Sequence, residues 1–305
     1  MFGSSKKAAT GIHIGADGLR VVELEVVGQN LELQALIHLE LKGAFHPGQV
    51  DSPEGEAELI QALLQLREER GLRFRNAVVA LSPASYQLKR RALPEAGDLD
   101  VRSYLEWEAE QILADETKAY GIDYVQTAAT GFIVAAHRQS IRFYQEVFKS
   151  AKISIDLDIE PFALFNVLEF TEVVGDEGVE LLVDVAGDRY WTILARDGEI
   201  EAASLGSWNG EAAAGSDPLS EVSGRLSGLL EGVEARPDRV WISGSNSRHA
   251  TWRVQLPDQL RISSALVDPF RGVDISQLNK DDSTQLASRS AFAVPAGLAY
   301  RGLLT

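Results

Sequence analysis

A pattern that occurs twice constrains this chain more than any other feature. Three strand-like segments, Thr10 to Ile14, Leu19 to Val27 and Leu31 to Leu41, are separated by Gly15-Ala16-Asp17-Gly18 and Gly28-Gln29-Asn30, and they read as an antiparallel meander. A helix starts at Asp51-Ser52-Pro53, where Ser or Asp can cap and Pro fits the first turn. Leu59, Leu63 and Leu66, with Ile60 and Leu64, form its apolar stripe, which ends near Gly71. Asn76 to Leu81 is then a short β-branched run bounded by Ser-Pro, suited to a buried strand. The order returns with Val179 to Val185, Arg189 to Ala195 and Glu199 to Leu205, turning at Ala186-Gly187-Asp188 and at an Asp197-Gly198 hairpin. A helix with Leu219, Val222, Leu226 and Leu229 follows, and then the strand Arg239 to Ser243, ending in Gly244. Strand, strand, strand, helix, strand, written twice, implies a duplicated α/β fold of two lobes.

A segment of different character separates the copies. Tyr86 to Leu93, a helix from Leu99 to Ala114, a strand pair at Tyr124 to Ala128 and Gly131 to Ala136, and a helix from Gln139 to Ala151 make a small α+β insertion. Ile153 to Ile159 and Phe162-Ala163-Leu164 lead back to the first lobe. The expected boundaries are 1–83 for the first part of the first lobe, 84–152 for the insertion, 153–177 for the return and 178–305 for the second lobe. Asp281-Asp282-Ser283 reads as a solvated loop, and Phe292 to Leu303 as an apolar helix with Gly297 inside it.

Composition narrows the partners. The 29 basic and 45 acidic side chains give a net charge of -16, which argues against non-specific binding to nucleic acid or an anionic membrane. There is no cysteine, so no disulfide framework and no thiolate metal site, and a reducing, cytoplasmic compartment is expected. No apolar run reaches the roughly 18 residues of a membrane span, and the start lacks a signal-peptide core. The chain is expected not to insert into a membrane and to be recruited to one, if at all, by a partner.

Several motifs in register carry a family resemblance. Gly11-Ile12-His13-Ile14-Gly15-Ala16-Asp17-Gly18-Leu19-Arg20, after a Lys-Lys run, resembles the first phosphate loop of PilM, an actin-like family related to FtsA. Val79 to Pro83, Arg90 to Pro94, Glu106 to Gln111, Asp123-Tyr124, Ala135-Ala136 and Asp158 to Leu164 are similar to that family's inserted subdomain 1C and its return. Leu182 to Val185 through Asp197-Gly198 resembles the second phosphate loop, Ile242-Ser243-Gly244-Ser245 the adenosine loop, Asp268-Pro269-Phe270 a later marker, and Val294 to Arg301 the terminal helix. The resemblance implies an α/β actin-like fold: two RNase H-like lobes with a 1C-like insertion. It also implies a nucleotide pocket made by Gly15, Asp17, Arg20, Asp184, Gly187, Gly244 and Ser245.

The departures change the expected activity. His13 stands where the family has an Asp on the metal side, and an imidazole supplies no hard carboxylate to magnesium. Asp17 would direct negative charge at phosphates, Arg20 replaces Lys, Ala186 replaces a Gly, bulky Arg189-Tyr190-Trp191 replaces small hydroxyl residues, and Ser245 replaces a second Gly. The stretch from Gly210 to Asp238 is too short for subdomain 2B, which would close over the base. The site is therefore expected to be degenerate, with no cofactor needed, although ATP with magnesium stays open. Asp184 also has a plain structural reading as a turn cap, His13 as a structural histidine, Gly15 and Gly18 as hairpin residues, and Glu106 and Glu110 as an acidic solvated face.

The leading expectation is a cytoplasmic scaffold of the type IV pilus assembly platform. It would hold the N-terminal tail of a PilN-like single-pass protein in the groove between the first lobe and the insertion, with Arg90 and Arg91 as candidate groove residues and self-association in addition. The alternatives are a nucleotide-binding switch or slow ATPase, an FtsA-like filament protein, and a component similar to the cytoplasmic part of GspL-type type II secretion proteins. GspL chains continue into a membrane helix, whereas this sequence stops at Leu303-Leu304-Thr305, which favours the pilus resemblance.

Overall fold

The structure is a computed structural model that describes residues 7–305 apart from 44, 94–99, 129, 172, 174, 176, 208–217, 232–236, 238, 246 and 247. Three strands open it: β1 (Ala8–Gly15), β2 (Gly18–Val27) and β3 (Asn30–Leu39). Helix α1 (Pro53–Glu68) follows, with Ser52 Oγ accepting from Gly55 N and Pro53 in the first turn, so the capping signal in the sequence is used. Then come β4 (Ala77–Leu81), β5 (Tyr86–Ala92), α2 (Val101–Leu113), β6 (Tyr120–Gln126), β7 (Thr130–His137) and α3 (Arg138–Ser150). β8 (Ile155–Ile159) and α4 (Glu160–Phe170) lead to the second meander, β9 (Val179–Ala186), β10 (Arg189–Arg196) and β11 (Glu199–Ser207). α5 (Pro218–Leu230), β12 (Arg239–Ser243), α6 (Arg248–Leu260), β13 (Ser263–Leu266), α7 (Lys280–Ser283) and α8 (Ala293–Leu304) complete the chain.

The two meanders belong to two five-stranded sheets of the same design. The first runs β3-β2-β1-β4-β8 and the second β11-β10-β9-β12-β13. In each, the first two pairings are antiparallel and the last two parallel. The insertion is a three-stranded antiparallel sheet, β5-β7-β6. β1 and β4 are buried along nearly their whole length, which explains why β4 reads as an apolar run that does not alternate and why the polar Thr10 and His13 of β1 lie inside the protein. The stretch from Gly210 to Asp238, on which the expected loss of subdomain 2B rests, lies partly outside the described residues. Its described part is α5 with Glu231 and Pro237.

Two expectations are corrected. The chain after Val267 does not stay with the second lobe, as a 178–305 unit would require. Asp274 exchanges backbone hydrogen bonds with Leu31 and Leu33 beside β3, and α8 packs on β1, β4 and α4. That seam is tight because two glycines face backbone: a Cβ on Gly11 would lie 1.8 Å from Pro295 O, and one on Gly297 1.7 Å from Ala163 O. Asp281-Asp282-Ser283 is not a solvated loop. It lies in a helical turn with Asp282 buried, where that carboxylate accepts from Leu36 N at 3.2 Å and pairs with Arg70.

Candidate functional site

Two places between the layers carry chemistry. The first lies where β1, the start of α4 and β10 converge. Glu160 Oε1 is 3.1 Å from His13 Nε2, and Glu160 Oε2 accepts from Trp191 Nε1 at 2.6 Å. An ionised carboxylate only accepts, which assigns the proton to His13 Nε2. All three side chains are buried, so one carboxylate ties the first sheet to the second. Burial raises the Glu160 pKa, but the hydrogen bonds from His13 and Trp191 and the nearby Arg189 outweigh it and hold the group below its ordinary value.

Asp184 sits beside this clamp on β9. Its Oδ1 accepts from Ser243 Oγ at 2.6 Å, across the parallel pairing of β9 with β12. Here burial wins: the carboxyl is pushed up to about 6, with the Glu160 charge adding to the effect and Ser243, His13 and Arg20 opposing it. Asp184 therefore does not cap a turn, as its plain reading suggests. It pairs two strands.

The first loop spends its charges internally. Arg20 grips Asp17 with both terminal nitrogens, at 2.7 and 2.6 Å, and its guanidinium carbon stands 6.0 Å from the centre of the Phe292 ring. Asp17 is partly buried, which raises its pKa, yet Arg20 brings it below its ordinary value. The expectation that Asp17 aims a bare negative charge at phosphates is corrected accordingly, because that charge is neutralised by Arg20. Gly18 has φ +126°, and a Cβ there would lie 2.2 Å from Leu39 O, so the hairpin and β3 require this glycine. Gly15 closes β1 opposite Gly18. Gly187 turns between β9 and β10 at φ +61°. Gly244 packs directly on the β9 backbone, where a Cβ would meet Val185 O at 2.1 Å, and Ser245 follows it, partly buried. Among the described residues, no group of three or more His, Cys, Asp or Glu side chains converges as a metal cage.

The second place is a groove of about 830 Å³ between the first lobe and the insertion. Ile122 and Val125 of β6, Ile141 of α3, Leu157 of β8 and Phe162 and Phe165 of α4 make its apolar lining. β6 ends the insertion sheet and β8 ends the first sheet, so two strand edges flank the groove. The β10–β11 turn closes one side with Gly198, Glu199 and Ile200, and Glu199 Oε2 accepts from Ala128 N at 2.7 Å.

Arg90 and Arg91 are not there, which corrects the groove assignment made from sequence. They lie on β5, at the opposite edge of the β5-β7-β6 sheet, and form ion pairs with Glu201 (3.4 Å) and Glu108 respectively. Sequence reasoning also missed Glu160, Asp123 and Asp158 as site residues. Glu160 opens a helix beside Pro161, a position that reads as ordinary helix-start chemistry, and His13, 147 residues away, meets it only through the fold.

No family model matches the sequence, and no curated protein matches it either. Solved structures do. A "PilM-PilN type IV pilus biogenesis complex" superimposes with a TM-score of 0.79 at 22% identity, covering 97% of this chain and 98% of that one. The fold is actin-like. A protein of actin-like ATPase fold and unknown function from Bacteroides thetaiotaomicron gives 0.56 at 12% identity over 94% of this chain and 98% of the other. The ethanolamine utilization protein EutJ from Carboxydothermus hydrogenoformans gives 0.52 at 12% identity over 96% and 89%. The actin-like architecture implied by the sequence motifs is thus the architecture found. Among the described residues no helix is long and apolar enough to cross a membrane.

Proposed function

We propose that this chain is a cytoplasmic scaffold of a type IV pilus assembly platform. It would hold the N-terminal tail of a PilN-like single-pass protein in the groove between first lobe and insertion, and that tail would recruit it to the inner face of the membrane. The observation that carries this reading is the groove itself. Its apolar lining between two strand edges suits an extended segment, which can pair its backbone with an edge and seat alternate side chains in the lining. The fold is that of a chain solved as part of a PilM-PilN complex.

The residues of the interlobe cleft do not fit a magnesium–nucleotide complex. Arg20, a natural phosphate partner, is spent on Asp17. The carboxylates present, Glu160 and Asp184, are buried acceptors already engaged by His13, Trp191 and Ser243, and the Trp191 indole fills the space beside them. A pilus scaffold with a spent nucleotide site accounts for both places at once. Fluorescence titration with the cytoplasmic tail of a PilN-like protein tests the idea. Binding at tens of micromolar or tighter is expected, and no binding at 100 µM removes the adaptor reading.

A further inference from the structure

An edge strand offers unpaired N–H and C=O groups to any other strand, so each edge has to be protected by some device. Among the described residues the three sheets end in β3 and β8, β11 and β13, and β5 and β6. β13 is only four residues long. β5 carries Lys89, Arg90 and Arg91, and β6 and β8 turn toward the groove and carry Asp123, Asp156 and Asp158. β11 carries Glu199 and Glu201, and Arg225 Nη1 reaches round to Leu205 O at 3.4 Å. β3 has none of these protections. Its ten residues, Asn30–Leu39, include one acid, Glu32, and no Lys or Arg, which makes it the long, weakly charged kind of edge that invites strand addition.

In place of charge, β3 has a strap made from the chain's own C-terminal part. Asp274 bridges Glu32 in parallel register, its N–H donating to Leu31 O and its C=O accepting from Leu33 N, both at 2.8 Å. Further along β3 the Asp282 carboxylate takes the place of a neighbouring strand and accepts from Leu36 N at 3.2 Å. Asp282 is buried and held by Arg70, whereas Asp274 to Gln277 lie exposed, attached to the core through Val273 and Leu278. We propose that the segment Val273 to Asp282 is an intramolecular guard latched by the Arg70–Asp282 pair, and that displacing it lets a second copy of this chain pair its own β3 at the freed edge. A second strand would supply what the strap supplies now: acceptors for Leu33 N and Leu36 N and a donor for Leu31 O. Two copies of one edge meeting antiparallel about a two-fold axis close on themselves and need no other chain. The guard acts whether or not the groove holds a peptide.

Two variants of the full chain test this. Asp282→Ala removes the latch, and Asp274→Pro removes the N–H donated to Leu31 O at an exposed position, leaving the buried pair intact. In dilute solution, hydrogen-exchange mass spectrometry should show the β3 peptide of each variant exchanging about tenfold faster than in the parent. Light scattering behind size-exclusion chromatography should show each variant associating at about tenfold lower concentration than the parent, with β3 protection returning as the dimer forms. Gln34→Lys, added to either variant, puts a cation on the edge strand and should abolish the added association while leaving the faster exchange. Unchanged β3 exchange in both variants would mean that the strap does not hold this edge. Faster exchange without added association, or association that survives Gln34→Lys, would mean that a freed β3 does not recruit a second copy. Any of these results overturns the guard.

Discussion

Replacing Asp184 with Asn should stabilise this protein, and only at neutral and alkaline pH. The carboxyl is pushed from its ordinary 3.8 to about 6 in the folded state. A raised acid favours folding fully below its unfolded pKa, and that advantage is lost as pH rises through about 6. Above pH 6 the ionised, buried group weighs against the fold by about 3 kcal/mol relative to low pH. Asn keeps the shape and an acceptor for Ser243 Oγ but carries no charge near Glu160. Across 305 residues, the usual unfolding entropy of about 2.1 cal/mol/K per residue gives about 0.6 kcal/mol/K, so the melting midpoint should rise by about 5 °C at pH 8. At pH 4 the two proteins should melt within about 1 °C of each other, since both then present a neutral group. Circular-dichroism melts of Asp184→Asn and the parent across pH 4 to 8 measure this. A variant that is destabilised at pH 8, or shifted equally at every pH, would mean that His13, Arg20 and Ser243 more than compensate the buried charge, and the electrostatic account of the cleft would fail.

Glu160→Gln leaves two N–H donors, from His13 and Trp191, facing one carbonyl and one amide. It should cost about 2–3 kcal/mol in urea unfolding and shift Trp191 emission. Glu160 has the opposite pH sign to Asp184: its folded pKa is lowered, so its contribution is present above the ordinary carboxylate range and fades as pH falls. Gly297→Ala drives a methyl into the Ala163 carbonyl and should lower stability by about 3 kcal/mol, read as a lower urea midpoint at unchanged slope. Magnesium ATP at 1 mM should move the melting midpoint by less than about 1 °C, whereas a live site saturated a hundredfold would add about 2.7 kcal/mol, or about 4 °C.

The fold was legible because local signals agreed with one another. The capping Ser52, the Gly18 and Asp197-Gly198 turns and the uninterrupted apolar run of β4 each demand one local structure, and their repetition gives the duplication. The site was less legible because its pairs are distant. Nothing near His13 announces Glu160, and nothing near Asp184 announces Ser243, since both pairs form only through parallel strand register and the start of α4. Asp282 failed for the same reason: three polar residues in a row read as solvated until β3 and Arg70 are seen to enclose one of them. Arg90 and Arg91 belong to the insertion in sequence, but which edge of its sheet they occupy depends on the strand order β5-β7-β6, which puts β5 at the edge away from the groove.

That geometry also joins the two places that sequence treats separately. Glu160 and Phe162 are two residues apart at the start of α4, one holding the clamp and the other lining the groove. Trp191 belongs to the same β10–β11 hairpin whose turn supplies Gly198, Glu199 and Ile200 to the groove wall. The clamp therefore fixes both the helix that floors the groove and the turn that closes it. A Glu, a His and a Trp from three elements bridge the two sheets, so contacts within the chain hold the wall and the floor of the groove together, which is what the proposed peptide-binding role would need.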